Sequence, residues 1–270
     1  MPLQHDILVL NWFEERASNS QFPLVEFIRT VLMLLIFRFK FKKIIYVAHN
    51  VYPHSGKAII AFKLLKKIIR YVSDKTVIHR DNVNLDSEYI PHPLYDVSPG
   101  SKHVREIDFL FFGQIKPYKG IESLLLAWPK SYKLNLLGAC LEPSLKSRID
   151  HIVSSRDLSV EWCDKFVSIE YLNEQISNAK YIVLPHSNDS MYVSGSFFHA
   201  ISRGTNILMK KSEFSDYCQE KFSFVYVYED QSLVTVIDNL IEIDSGLILN
   251  EAELECGLKA QTKYWSSIFS

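Results

Sequence analysis

From Ile107 onward the chain alternates short apolar runs with stretches of helical period. The runs are Ile107–Phe112, Lys133–Gly138, Leu158–Trp162, Tyr181–Pro185, Thr205–Met209 and Ser223–Tyr228. Between them lie helical patterns at Lys119–Trp128, Glu142–Ser154, Ser168–Ala179 and Ser194–Arg203. A strand apolar on both faces must be covered on both, and intervening helices make the connections crossovers. This predicts an α/β fold with a parallel sheet between helical layers. The first part repeats the pattern more briefly, with strands at Asp6–Trp12, Lys43–His49 and Lys75–His79 and helices at about Pro23–Phe39 and Gly56–Tyr71. The segment from Tyr89 to Asp108 carries three prolines and Gly100 and reads as a linker, with the boundary near Pro99-Gly100. The expected organisation is a short amino-terminal domain over 1–99, a carboxy-terminal domain over 100–250, and a final helix over 251–270 packing back toward the first domain.

Composition and charge narrow the function classes. Hydrophobic residues make up 47% of the 270, with seventeen Phe and fourteen Tyr, which is ample surface to bury and excludes a disordered chain. The four cysteines (Cys140, Cys163, Cys218 and Cys256) form no CxxC pair, so neither a zinc site nor a disulfide framework is indicated and a reducing cytoplasm fits. The amino terminus lacks the basic start and small-residue cleavage site of a signal peptide. The long apolar segment Phe22–Phe39 is interrupted by Glu26 and Arg29, and its unbroken part, Thr30–Phe37, is too short to span a bilayer. Through Arg80 there are thirteen basic and five acidic residues, a charge of +8, and the remainder carries −9. Such a split predicts two units with different partners, the basic one suited to anionic lipid, a diphosphate or nucleic acid. The stretches FRFKFKK and KLLKKIIR mix basic with apolar residues, as a helix lying on an anionic membrane does. No nucleic-acid-binding motif is present, so nucleic acid ranks low as a partner.

In an open α/β sheet, ligands bind beyond the carboxyl ends of the strands. After Phe112 come Gly113 and Gln114, and then Lys119-Gly120 at a helix start. Glycine lets the backbone approach a phosphate, helix-end amides donate to it, and lysine adds a point charge. Ser194-Gly195-Ser196 opens a second helix with small, hydroxyl-bearing residues. Taken singly, these are also ordinary turn and N-cap chemistry, and neither is a GxxxxGK[ST] or GxGxxG loop. Together, two such openings in one sheet are suited to gripping a diphosphate. His49-Asn50 follows a buried strand at the same kind of edge, where a neutral imidazole can donate to a ligand hydroxyl or take its proton. His54 and His92 also follow strands, and strand capping explains each of them. No carboxylate shares a ligand spacing with these histidines and no Asp-x-Asp occurs, so no metal and no cofactor is expected.

The set of motifs, in order, resembles GT-B glycosyltransferases akin to glycosyltransferase family 4. FFGQIKPYKGIESLLLAW is similar to the first donor-domain motif, VSIEYLNEQISNAKYIVLPH to the helix and Pro-ended strand that follow, and SGSFFHAISRGTNIL to the donor-binding helix. DILVLNW, VAHNVYPHSG and YIPHPLYD resemble the elements with which bacterial polysaccharide glycosyltransferases line an interdomain cleft. The resemblance implies two Rossmann-like domains facing across that cleft, the amino-terminal one truncated, since the chain starts without the usual first strand and glycine-rich loop.

The resemblance also assigns roles. Lys119 contacts the donor diphosphate and, with His49, forms the catalytic pair. Gly113, Gln114, Gly120, Ser194, Gly195, Ser196 and His199 complete the donor site. Asn50, His54 and His92 face the acceptor. The expected reaction is metal-independent transfer of a sugar from UDP or GDP to a saccharide, lipid-diphosphate-linked acceptor in bacterial surface-polysaccharide (O-antigen or capsule) assembly. The expected location is the inner face of the plasma membrane. Two departures stand out: Gln114 replaces the usual arginine, and the family's pair of glutamates is missing, with Met191 and His199 at those positions and Asp189 displaced. These departures keep open a reading as a non-catalytic, glycosyltransferase-like scaffold at the membrane.

Overall fold

A computed structural model describes residues 5–53, 57–81, 86–97, 105–186 and 192–269. The chain forms two compact units. One comprises Met1–His92, Asp189–Val193 and Lys259–Ser270, and the other Pro93–Asn188 and Ser194–Leu258. The boundary expected at Pro99-Gly100 lies outside the described residues.

The first unit holds β1 (His5–Asn11), a 3₁₀ turn at Phe13–Glu15, α1 (Pro23–Lys40), β2 (Phe41–Val47), α2 (Ile59–Val72), β3 (Lys75–Ile78) and β4 (Glu88–Tyr89). Its sheet is parallel throughout, in the order β1-β2-β3-β4. Every crossover steps the same way, so right-handed connections place α1 and α2 on one face. The period of two along β2 then sorts its side chains. Ile45 and Val47 join Val77, Ile90 and Ile268 in a core on the face covered by the carboxy-terminal helix, while Ile44 and Tyr46 lie buried on the alternate positions. Strand β4 corrects the reading of the linker, which begins as a sheet edge. Two residues followed by Pro91 carry no periodic signal, and a proline just past an edge strand leaves no ladder donor missing. Along α1, Thr30 and Leu34 are buried, whereas Leu24, Ile28, Leu32, Leu35 and Phe39 form an exposed stripe at helical spacing.

The second unit contains β5 (Ile107–Phe112), a 3₁₀ turn at Pro117–Lys119, α3 (Ile121–Ala127), β6 (Leu134–Leu137), α4 (Pro143–Ser155), β7 (Val160–Cys163), α5 (Ile169–Asn178) and β8 (Ala179–Leu184). It continues with α6 (Gly195–Ile201), β9 (Asn206–Lys210), α7 (Glu213–Lys221), β10 (Val225–Tyr228), α8 (Leu233–Asp238) and α9 (Ser245–Cys256). All its strand pairs are parallel, in the order β10-β9-β8-β5-β6-β7. Phe109, Phe111, Leu134, Leu136 and Val183 point to one face and pack with Leu124, Leu125 and Trp128 from α3 and its end, and with Ile149 of α4. Phe112, one residue out of phase, meets His199 of α6 edge-on, which puts α6 on the other face.

Two helical expectations need correction. The helix expected over Ser194–Arg203 is only Gly195–Ile201. The carboxy-terminal helix is two helices: α9 stops at Gly257, whose backbone is extended, and α10 (Leu258–Phe269) begins afresh as the chain passes to the first unit. A Cβ at Gly257 would lie 2.4 Å from the carbonyl oxygen of Glu253, so only glycine fits the break. Helices α7 and α8 carry no expectation from the sequence.

Candidate functional site

The second unit's strand order creates its site. From β5 the chain steps outward to β6 and β7, then returns to lay β8 against the other side of β5 and steps away through β9 and β10. The connections leaving β5 and β8 therefore diverge to opposite faces, and a crevice opens at their carboxyl ends. Gly113 and Gln114 follow β5, and Pro185 and His186 follow β8. Gly113 has φ +112, and its N–H donates to Leu137 O at 3.0 Å. Gly120, at φ +74, ends the 3₁₀ turn and starts α3. A Cβ there would sit 2.5 Å from Pro185 O, so the Lys119-Gly120 turn lies directly on the residues that follow β8.

Lys119 is half-buried, with its ammonium 5.4 Å from the centre of the Tyr118 ring. Burial pushes its pKa down, and nearby Lys116 adds to the shift. His186 is buried, and among the described residues neither ring nitrogen has a hydrogen-bond partner. Burial, with Lys119 adding to it, lowers its pKa to about 3, so the ring is neutral at physiological pH. The sequence reading quoted His186 only as the end of a strand motif. Its place directly after a strand-ending proline was the available signal.

The second helix opening, Ser194-Gly195-Ser196, does start a helix, α6. Ser194 is the buried N-cap of α6, but its side chain caps no amide. Ser196 is half-buried on the first turn. Gly195 is small because the Tyr95 hydroxyl lies over it, 3.2 Å from where a Cβ would be. His199, at the position of the family's second glutamate, is a packed ring. It stacks on Tyr95 at 4.8 Å, and its Nε2–H donates to Asn173 Oδ1 at 2.7 Å. Burial pushes its pKa down and Arg203 adds to that, which favours the neutral ring, and an imidazole cannot supply the charge of a carboxylate. Met191 and Asp189 lie outside the described residues.

In the first unit the ends of all four strands converge in a row of rings and amides. β1 ends in Asn11 and leads to Trp12, β2 leads to His49, β3 runs into His79, and β4 leads to His92. Trp12 and His49 stack in parallel at 4.1 Å, His49 and His79 lie 5.4 Å apart, and His79 meets His92 edge-on at 5.0 Å. His49 Nε2–H donates to Asn11 Oδ1 at 3.0 Å, and His79 Nδ1–H donates to Ile90 O at 3.0 Å. Burial lowers the His79 pKa, partly offset by the Ile90 and Pro91 carbonyls. The sequence reading found His49 and His92 here and missed Asn11, Trp12 and His79, although each ends or follows a strand. Asn50 is buried, and its Nδ2 donates to Glu15 Oε1 at 2.5 Å. Lys66 Nζ donates to Asn50 O at 2.6 Å and to the Tyr192 hydroxyl at 3.0 Å. His54 lies outside the described residues.

Beside this row, Glu14 is fully buried, and neither of its carboxylate oxygens has a hydrogen-bond partner among the described residues. Desolvation raises its pKa to about 7 against the pull of its own backbone, Tyr46 and Lys66. Lys66 in turn is lowered to about 8, by burial first and by Arg70 second. Among the described residues no group of three or more His, Cys, Asp or Glu is placed to hold a metal ion.

No protein-family model matches the chain, and no curated protein matches it. Solved structures do. HepE of Anabaena, in complex with UDP and glucose, superposes with a TM-score of 0.69 at 12% identity, over 98% of this chain and 78% of its own. The trehalose-6-phosphate synthase OtsA gives 0.63 at 9%, over 95% and 79%. Sucrose-phosphate synthase of Thermosynechococcus elongatus gives 0.57 at 17%, over 89% and 69%. At these identities the likeness speaks to architecture alone, and the architecture is that of a GT-B fold, with two Rossmann-like units each built on a parallel sheet.

Proposed function

We propose that the chain is a glycosyltransferase that moves a sugar from a nucleotide-sugar donor, carried on UDP or GDP, to a saccharide acceptor. The supporting observation is Lys119, held half-buried on the β5–β8 crevice with no carboxylate partner among the described residues. A desolvated, unpaired ammonium is stabilised by an anion. Departure of a nucleoside diphosphate develops negative charge, which such a group stabilises in the transition state. HepE, a structure of this fold, was solved with UDP and with UDP-glucose, which supports a uridine nucleotide as the first donor to test. In this reading Gly113, Gly120 and the Ser194–Ser196 turn shape the diphosphate site around Lys119. His49, fixed by Asn11 and Trp12, offers a sugar-binding group at the strand ends of the first unit, with His92 and Asn50 as its companions there.

The motif order favours a family-4-like enzyme of bacterial surface-polysaccharide assembly acting on a lipid-linked acceptor. The exposed apolar stripe of α1, flanked by Arg29, Arg38 and Lys40, supports seating on an anionic membrane. Among the described residues no helix is long and apolar enough to cross a membrane.

A non-catalytic scaffold is the second reading, favoured by Gln114 and by His199 where carboxylate chemistry is expected. Titration calorimetry with UDP and GDP on the wild-type chain and on Lys119→Ala decides the donor site. The expected result is binding weakened roughly ten- to hundredfold by the substitution, the range for hydrogen bonds to charged groups. Unchanged affinity would sink the assignment. Transfer or hydrolysis of the bound nucleotide sugar then separates enzyme from scaffold.

A further inference from the structure

Of the polar groups the donor reading leaves without a role, His186 is the most constrained. It sits two residues beyond β8, on the strand that flanks β5 at the order reversal. The Gly120 turn presses against its neighbour Pro185, and a Cβ on Gly120 would lie 3.7 Å from His186 Cα. Lys119 is the charged group that acts on its ring. The imidazole is buried, yet neither nitrogen has a partner among the described residues. Buried polar groups in native proteins are almost always hydrogen-bonded, and an unsatisfied one is destabilising unless a ligand completes it. A neutral imidazole keeps one N–H donor and one acceptor. Near a lysine ammonium with no carboxylate partner among the described residues, the ligand that satisfies both groups is an anion rich in acceptor oxygens.

We propose that His186 is a donor-binding residue whose ring N–H hydrogen-bonds an oxygen of the nucleoside diphosphate seated against Lys119. The inference rests on the donor-site reading above and adds a neutral donor beside the cationic one. It also explains why a histidine stays where burial and a neighbouring cation both oppose its charge: the hydrogen bond is formed by the neutral ring.

The test is calorimetric titration of UDP and GDP into wild type, His186→Phe, His186→Gln and Lys119→Ala, with urea denaturation of each apo chain. His186→Phe keeps a planar ring and removes the donor. Its nucleotide affinity is expected to fall roughly ten- to hundredfold while apo stability holds or rises, because an unsatisfied polar group has left the interior. His186→Gln restores an N–H and recovers much of the affinity. A histidine with only a structural role gives the reverse pattern, with lower stability and unchanged affinity, and overturns the proposal. Loss of binding in Lys119→Ala alongside wild-type binding in His186→Phe also overturns it, while leaving the donor site standing. If wild type binds neither nucleotide, the donor reading and this inference fall together. Should His186→Phe not fold, the ring-nitrogen resonances of wild type decide, with the His186 signals identified by their loss in His186→Gln. Addition of UDP must shift them, and unmoved signals overturn the proposal.

Discussion

Both units are built on parallel sheets, yet their carboxyl ends are furnished in opposite ways. In the first, all crossovers step one way, and the strand ends meet as a row of rings, stacked at Trp12 and His49, tilted at His49 and His79 and edge-on at His79 and His92. In the second, the order reverses between β5 and β8, and that point carries a turn glycine, a lysine and a histidine with no hydrogen-bond partner among the described residues. The polar groups differ accordingly. The first unit buries a carboxyl group that has no hydrogen-bond partner among the described residues, and the second buries an imidazole in the same condition. A reversal of strand order opens a crevice between diverging connections, whereas an unreversed edge lines its strand ends up in one row.

The largest effect is expected where the second unit is tightest. Gly120→Ala adds positive-φ strain to a clash with a backbone oxygen, and should destabilise that unit by about 3 kcal/mol while abolishing nucleotide binding. Urea denaturation with calorimetry checks both. A tolerated alanine would mean that the turn does not rest on the strand-end residues after β8.

Next is the buried carboxyl group of the first unit. Glu14 holds its proton to about pH 7 when folded but only to 4.5 when unfolded. Between those values the folded state binds more protons, so stability falls as pH rises, and the loss is complete above about 7. Glu14→Gln should therefore match wild type near pH 4.5 and exceed it by up to about 3 kcal/mol at pH 8, a figure set by the size of the shift. Denaturation at the two pH values measures it. An equal difference at both would show that ionisation of Glu14 is not the cause. His186 titrates with the opposite slope. Its folded pKa of about 3 lies below the unfolded 6.5, so its contribution to stability grows as pH rises from about 3 to 6.5.

The smallest effect concerns the surface of α1. Leu32→Glu lies on the exposed stripe and should change stability by no more than about 0.5 kcal/mol. It should nonetheless reduce sedimentation with vesicles containing anionic lipid, and raising salt should weaken wild-type binding as well. Retention of the variant on vesicles would remove α1 from the membrane reading.

Much of this was legible in the chain. Ile107–Phe112 and Tyr181–Leu184 are continuous apolar runs because a parallel strand is buried on both faces. Lys119-Gly120 declared a strand-to-helix turn because few other residues serve there. The two-residue strand at Glu88–Tyr89 was not legible, since a pattern of period two needs more than two residues to be seen. The break at Gly257 was missed because the apolar pattern runs on across it. His199 was placed in the donor site, at a position where the family has a glutamate, but its partners Tyr95 and Asn173 lie far away in sequence, and no local pattern announces them.

Periodicity records which faces are buried, and burial is a local property of each segment. The amino-acid order alone therefore settles that this protein is a parallel α/β chain. Strand order is a property of crossovers between distant segments. Whether β8 lies beside β5, and so whether Lys119 and His186 share a crevice, is decided only when the sheet assembles. The same holds for the row formed by Trp12, His49, His79 and His92. Each ring is placed by its own strand, and they meet only because four strands line up in one sheet.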